Sequence, residues 1–229
     1  FPIVVLLLVA AGWKLIFLLR DVLPFNSDEA IVALMARHIL QGERPVFFYG
    51  QAYMGALDAW LVAGGFLIFG QQIWVIRLVQ TLLYLGTVAT TYWLGQSAFG
   101  SRRVGLLAGL LMAVPTVNTT LYTTVSLGGY GEALLIGNLI LLVSLAIQRH
   151  ARTYLFILWG LLAGLGVWAN GLTLVYTAPS GLLLLWLLFR QQIHPVNRNR
   201  WLALACILVG VLVGASPWWL YALRQGPRN

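Results

Sequence analysis

Two adjacent carboxylates, Asp28 and Glu29, open a stretch of helix-forming residues, and a third, Glu132, follows a pair of glycines. A carboxylate at a membrane surface can take the proton from a hydroxyl nucleophile as a general base, a role worth about 10²–10⁴-fold in rate. Acids in a first helical turn also favour the positive end of the helix dipole, by about 0.3–1 kcal/mol each, so both readings of this pair stand. Helical phase separates the two acids. At about 100° per residue, Asp28 shares a face with Val32, Met35 and Ile39, whereas Glu29 and Arg37 fall to the side. Asp28 is therefore expected to point with the apolar face and Glu29 away from it. A cap needs no burial and a buried carboxylate is costly, which favours Asp28 as the working acid. Glu132 belongs to an apolar run that reaches the length of a span only with Tyr130, Gly131 and Glu132 included. That draws it to the hydrocarbon edge, where acids are paired or functional; the alternative is a helix-start acid after Gly128-Gly129. Arg37, Arg44 and Arg77 could meet a phosphate through their planar fork, or pair with Asp28, Glu29 or Glu43, or anchor at headgroups. His38, His150 and His194 are scattered without the spacing of a zinc site. A divalent cation held by Asp28, Glu29 and Glu132 is chemically possible, although nothing in the sequence requires one. There is no Gly-rich nucleotide loop.

The elements that must position these residues are membrane helices. Hydrophobic residues make up 60% of the 229 and charged residues only 9%, against roughly 25% in a soluble domain. The expected fold is all-α, a polytopic bundle of seven spans at about 2–19, 76–94, 104–121, 131–148, 154–170, 172–189 and 201–223. The net charge of +8 is dispersed, which excludes a nucleic-acid partner and suits topology instead. Arg102, Arg103, Arg149, Arg152, Arg190, Arg198 and Arg200 sit in alternate connections, and the connections between them carry no Lys or Arg. By the positive-inside rule the arginine loops are cytoplasmic, so the connection at about 20–75 lies outside. All six acids, Asp21, Asp28, Glu29, Glu43, Asp58 and Glu132, then fall on the outer side. Within that connection 28–41 reads as an amphipathic helix capped by Asn26 or Ser27. Residues 54–69, interrupted by Asp58, read as an interfacial or re-entrant helix; the main alternative is a span, which would put Arg102 and Arg103 outside. Lys14 is expected to snorkel outward from the first span. Three G-x-x-x-G pairs, Gly105/Gly109, Gly160/Gly164 and Gly210/Gly214, lie on spans of the same direction and read as packing surfaces. The single cysteine, Cys206, excludes an internal disulfide. The chain reads as one module, 1–229, of a longer protein.

These features resemble the GT-C membrane glycosyltransferases, in the family 39-like branch of protein O-mannosyltransferases and lipid A aminoarabinose transferases. The residues carrying the resemblance are F-N-S-D-E-A-I-V-A-L-M-A-R-H-I-L-Q-G at 25–42, F-F-Y-G-Q-A-Y-M-G-A-L-D-A-W at 47–60 and F-G at 69–70. Arg77, G-G-Y-G-E at 128–132 and G-L-L-A-G-L-G-V-W-A-N-G at 160–171 complete the set. The resemblance implies Asp28 as catalytic base, Glu29 in support and Glu132 in the place of the second outer acid. It implies Arg37, Tyr49, Gln51, Tyr53, Arg77 and Asn170 around the substrates, with Gln51 and Asn170 standing where the family has phosphate-binding lysines. The implied donor is a polyprenyl-phosphate sugar and the acceptor a glycan, lipid or protein hydroxyl. The implied reaction inverts the sugar at the outer face of the plasma membrane without a cofactor. Two rivals remain at this point: a transporter or lipid flippase, which predicts ionisable residues or broken helices near mid-bilayer on several spans, and an inactive scaffold.

Overall fold

The computed structural model describes residues 2–20, 22–190 and 200–225. Asp21, His194 and Arg198 lie outside the described residues. The chain is almost entirely helical and divides into two compact units, 1–135 and 136–229.

In the first unit, α1 (Pro2–Leu19) packs on α4 (Ile73–Phe99) and α5 (Arg102–Ala113). Leu6, Ala10, Tyr84, Val88, Tyr92 and Ala113 form the shared core. Gly105 and Gly109 let α5 lie directly on α4 and α1: a Cβ at Gly105 would stand 2.8 Å from the Tyr92 carbonyl of α4, and one at Gly109 2.6 Å from Leu6 of α1. The lipid-facing sides of α1 are wholly apolar, with Val4, Val5, Leu8, Leu15 and Ile16 exposed.

The described part of the connection after α1 carries structure of its own. It contains α2 (Ser27–Leu40), a hairpin of β1 (Phe47–Phe48) and β2 (Gln51–Gly55), and α3 (Leu57–Phe69). Among the described residues the small hairpin is the one departure from an all-α reading. Its tip is Tyr49-Gly50, between the paired Phe48 and Gln51, and Gly50 has the positive φ of 78° that such a turn favours. Val32, Met35, Phe48, Met54, Val62, Phe66, Val75 and Ile76 close a second core over these elements and the start of α4.

Two expected spans are broken, each at a proline. Residues 104–121 divide into α5 and the six-residue α6 (Val117–Tyr122), separated around Pro115. Residues 201–223 divide into α10 (Arg200–Gly214) and α11 (Ser216–Gln225), bent by 63° just before Pro217. Among the described residues four helices are long and apolar enough to cross a membrane, or five with the bent pair. α8 (Thr153–Ala169), at 17 residues, is a shorter apolar helix, so the described residues do not reach the expected count of seven.

α7 (Tyr130–His150) starts in the first unit and carries the chain into the second, followed by α8, a 3-10 turn (Gly171–Thr173), α9 (Leu174–Phe189), α10 and α11. Here the glycine pairs lock α8 against α10. Cβ atoms at Gly160 and Gly164 would run into the backbone at Ile207 and Val211, and those at Gly210 and Gly214 into the backbone at Ile157 and Leu161. The paired positions rise together along both helices, so α8 and α10 run parallel, the relation the alternating arginine loops predict for them. Trp159 donates from Nε1 to Ser144 Oγ at 2.9 Å, joining α8 to α7 within the same unit.

Candidate active site

α2 begins in the manner its residues dictate. Asn26 is the N-cap, and its Oδ1 accepts from the backbone N–H of Asp28 at 2.9 Å and of Glu29 at 3.0 Å. The two adjacent acids then part. Glu29 is fully buried and ion-paired with Arg77 of α4, whose Nε lies 3.3 Å from Oε1 and whose Nη2 lies 3.3 Å from Oε2. The same Nη2 donates to the Leu23 carbonyl at 2.8 Å. One guanidinium therefore joins α4, α2 and the segment leading into α2. This corrects the expectation that Glu29 points away. The buried arc of α2 runs through Glu29, Val32, Met35 and Ala36, because α3 and α4 both pack on it and cover a wider arc than one neighbour would. Asp28 is half-buried, and no described residue bonds its carboxylate.

The remaining expected substrate residues have unequal settings. Arg37 is exposed in the last turn of α2, nine residues and so about 13 Å along the axis from Asp28. Tyr49 sits at the hairpin tip, where its hydroxyl donates to Glu43 Oε2 at 2.8 Å and meets His38 Nδ1 at 2.9 Å. Gln51, on β2, keeps its Oε1 buried without a hydrogen-bond partner. Tyr53 projects outward. Arg77 is engaged by Glu29 and Leu23, which holds the start of α2. Asn170 belongs to the second unit, where it ends α8 and its Oδ1 accepts from the Leu172 N–H at 3.0 Å.

Glu132 does not lie bare at the hydrocarbon edge. It is fully buried beside Asp58, and neither of its carboxyl oxygens has a hydrogen-bond partner among the described residues. Asp58 was legible only as an interruption in an apolar helix, but it falls in register with Ala59, Val62, Ala63 and Phe66, the buried face of α3. Gln80 of α4 donates from Nε2 to Asp58 Oδ1 at 2.8 Å, the Ser126 hydroxyl donates to Oδ2, and the Gly129 amide donates as well. Burial raises the Asp58 carboxyl above the ordinary range, and these donors oppose the rise. The glycines of G-G-Y-G-E permit the approach. Gly128 and Gly129 take φ of 81° and 88°, and a Cβ on Gly131 would stand 2.7 Å from Gln80 Oε1.

Lys14 also departs from expectation. It does not snorkel but is buried with Leu6 and Ala10 on the inner face of α1. Its Nζ donates to Thr123 O at 2.7 Å, Thr123 Oγ1 at 2.7 Å and Thr124 Oγ1 at 2.6 Å. The four-residue spacing of Leu6, Ala10 and Lys14 is the signal that placed it inside. Among the described residues no three His, Cys, Asp or Glu side chains are grouped to hold a metal ion.

The family described as dolichyl-phosphate-mannose-protein mannosyltransferase matches residues 55–221, roughly three quarters of the chain. The matched stretch contains Asp58, Arg77 and Glu132, and begins after Asp28 and Glu29. No curated protein matches the chain, and no solved structure does.

Proposed function

We propose that this chain, which belongs to the dolichyl-phosphate-mannose-protein mannosyltransferase family, transfers a sugar from a polyprenyl-phosphate donor to an acceptor hydroxyl, with Asp28 as general base. Membership makes it a membrane glycosyltransferase of the GT-C kind; the donor, the base and the outer-face location are our reading. The observation that carries it is the division of labour at the start of α2. Glu29 is locked to Arg77, so the helix end is fixed in place. Asp28, one residue earlier, is half-buried and holds a carboxylate that no described residue bonds. A base must be positioned and at the same time available to a proton.

In this reading Asp28 accepts the proton of the acceptor hydroxyl as that oxygen bonds the anomeric carbon. The bond from the anomeric carbon to the phosphate oxygen breaks, and the lipid phosphate departs with the electron pair. Attack opposite the leaving group inverts the configuration. Developing charge on the phosphate calls for donors. Arg37 and Arg44 are exposed cations on the same connection, and the Gln51 amide is a neutral donor on β2.

The test is sugar transfer from a labelled polyprenyl-phosphate sugar by the full-length protein in bilayers. Asp28→Asn is expected to lower the rate by about 10²-fold or more while the melting temperature stays within about 3 °C of the parent. Transfer at the parental rate removes Asp28 as the base.

A further inference from the structure

We propose that Asp58 and Glu132 form a buried carboxyl pair holding a single proton, carried by Glu132 and donated to Asp58, and that this bond fastens the start of α7 to α3 and α4. The inference does not depend on the role given to Asp28.

The hydrogen-bond inventory assigns the proton. Asp58 accepts at both oxygens, from Gln80 Nε2 at 2.8 Å and from the Ser126 hydroxyl, with the Gly129 amide as a third donor. An oxygen pair surrounded by donors in this way is a carboxylate. Neither oxygen of Glu132 has a protein donor beyond its own backbone N–H, although both are buried. Two ionised carboxylates in contact away from water repel without compensation, whereas one proton between them turns the contact into a strong, charge-assisted hydrogen bond. Glu132 is the member with a proton to give, since Asp58 already accepts everything around it.

The proton location makes the two positions unequal towards amide substitution. Glu132→Gln replaces a neutral donor by a neutral donor, so the full-length protein should melt within about 3 °C of the parent. Asp58→Asn places an N–H against groups that themselves donate, and should melt about 5 °C lower or more. Equal melting of the two variants, or a larger loss in Glu132→Gln, overturns the assignment. Infrared difference spectroscopy supplies an arm that needs no stable Asp58 variant. The carbonyl band of a protonated carboxyl group should be present in the parent, absent in Glu132→Gln and retained in Asp28→Asn. A band that persists in Glu132→Gln, or no band in the parent, also overturns it. Loss of transfer in Asp28→Asn bears only on the base, so the two readings fail separately.

Discussion

Arg77 and Gln80 stand one turn apart on α4, and each donates to a buried carboxylate, Glu29 in the first case and Asp58 in the second. The two regions solve one problem differently. At α2 an acid is balanced by a cation it touches, and a second acid, Asp28, is left unbonded beside it. Between α3 and α7 the donor is a neutral amide, and the second acid is folded into the pair. A membrane protein's interior can tolerate a carboxylate next to an arginine, but two carboxylates next to a glutamine need a proton. On the proposed function the reactive acid, Asp28, lies in the first region. There the cation holds the helix end and no described residue bonds the Asp28 carboxylate, whereas in the second region both acids belong to the proposed pair.

The comparison is most strongly broken at Arg77. Arg77→Gln makes the two regions alike in donor charge and leaves Glu29 buried without its cation. Removing one partner of a buried ion pair costs about 3–5 kcal/mol, so the melting temperature should fall on the order of 10 °C. The double variant Glu29→Gln, Arg77→Gln should recover much of the loss, because no lone charge remains. A single variant as stable as the parent would mean that the pair is not what fixes α2, and the case for a positioned Asp28 would weaken with it.

The next effect is smaller and belongs to the second region. Ser126→Ala removes the donor to Asp58 Oδ2 but leaves Gln80 and the Gly129 amide in place. The expected loss is about 1–3 kcal/mol, read as a drop in melting temperature, and it should be less than that of Arg77→Gln. A larger loss would show that one hydroxyl outweighs a guanidinium here, reversing the ranking on which the contrast rests.

The two regions also differed in how far the sequence disclosed them. Composition and run length disclosed a helical membrane fold, since lipid demands long apolar helices whatever they pack against. The glycine pairs were legible as contact surfaces for a similar reason: only small residues let helix backbones approach. Asn26 was legible as a cap from its place before the D-E. What could not be read was which neighbour would cover which face. Glu29 looked peripheral because one helix was considered alone, while two elements cover it. Asp58 looked like an interruption because its partner, Glu132, is 74 residues further on. Pro115 and Pro217 did carry readable signals, and the two expected spans that ignored them are the ones that break.

Lys14 gives the subtlest test, because it decides whether the second region is truly without a cation. Its three N–H bonds all end on neutral oxygens, and its Nζ lies 4.2 Å from the Tyr84 ring centroid. The threonine hydroxyls it meets donate onward to Thr119 O and Thr120 O, so they keep partners without it. Lys14→Met retains the length and apolar contacts of the side chain and removes a charge whose burial is costly. If Lys14 serves only to join α1 to Thr123 and Thr124, the loss of these bonds and the relief of desolvation should nearly offset. The melting temperature should then stay within about 4 °C, or about 1 kcal/mol, of the parent. A fall of more than 10 °C would mean that its charge stabilises Asp58 through the interior. Asp58 would then have a cation of its own at a distance, and the two regions would differ in the separation of their charges, with the presence of a cation common to both.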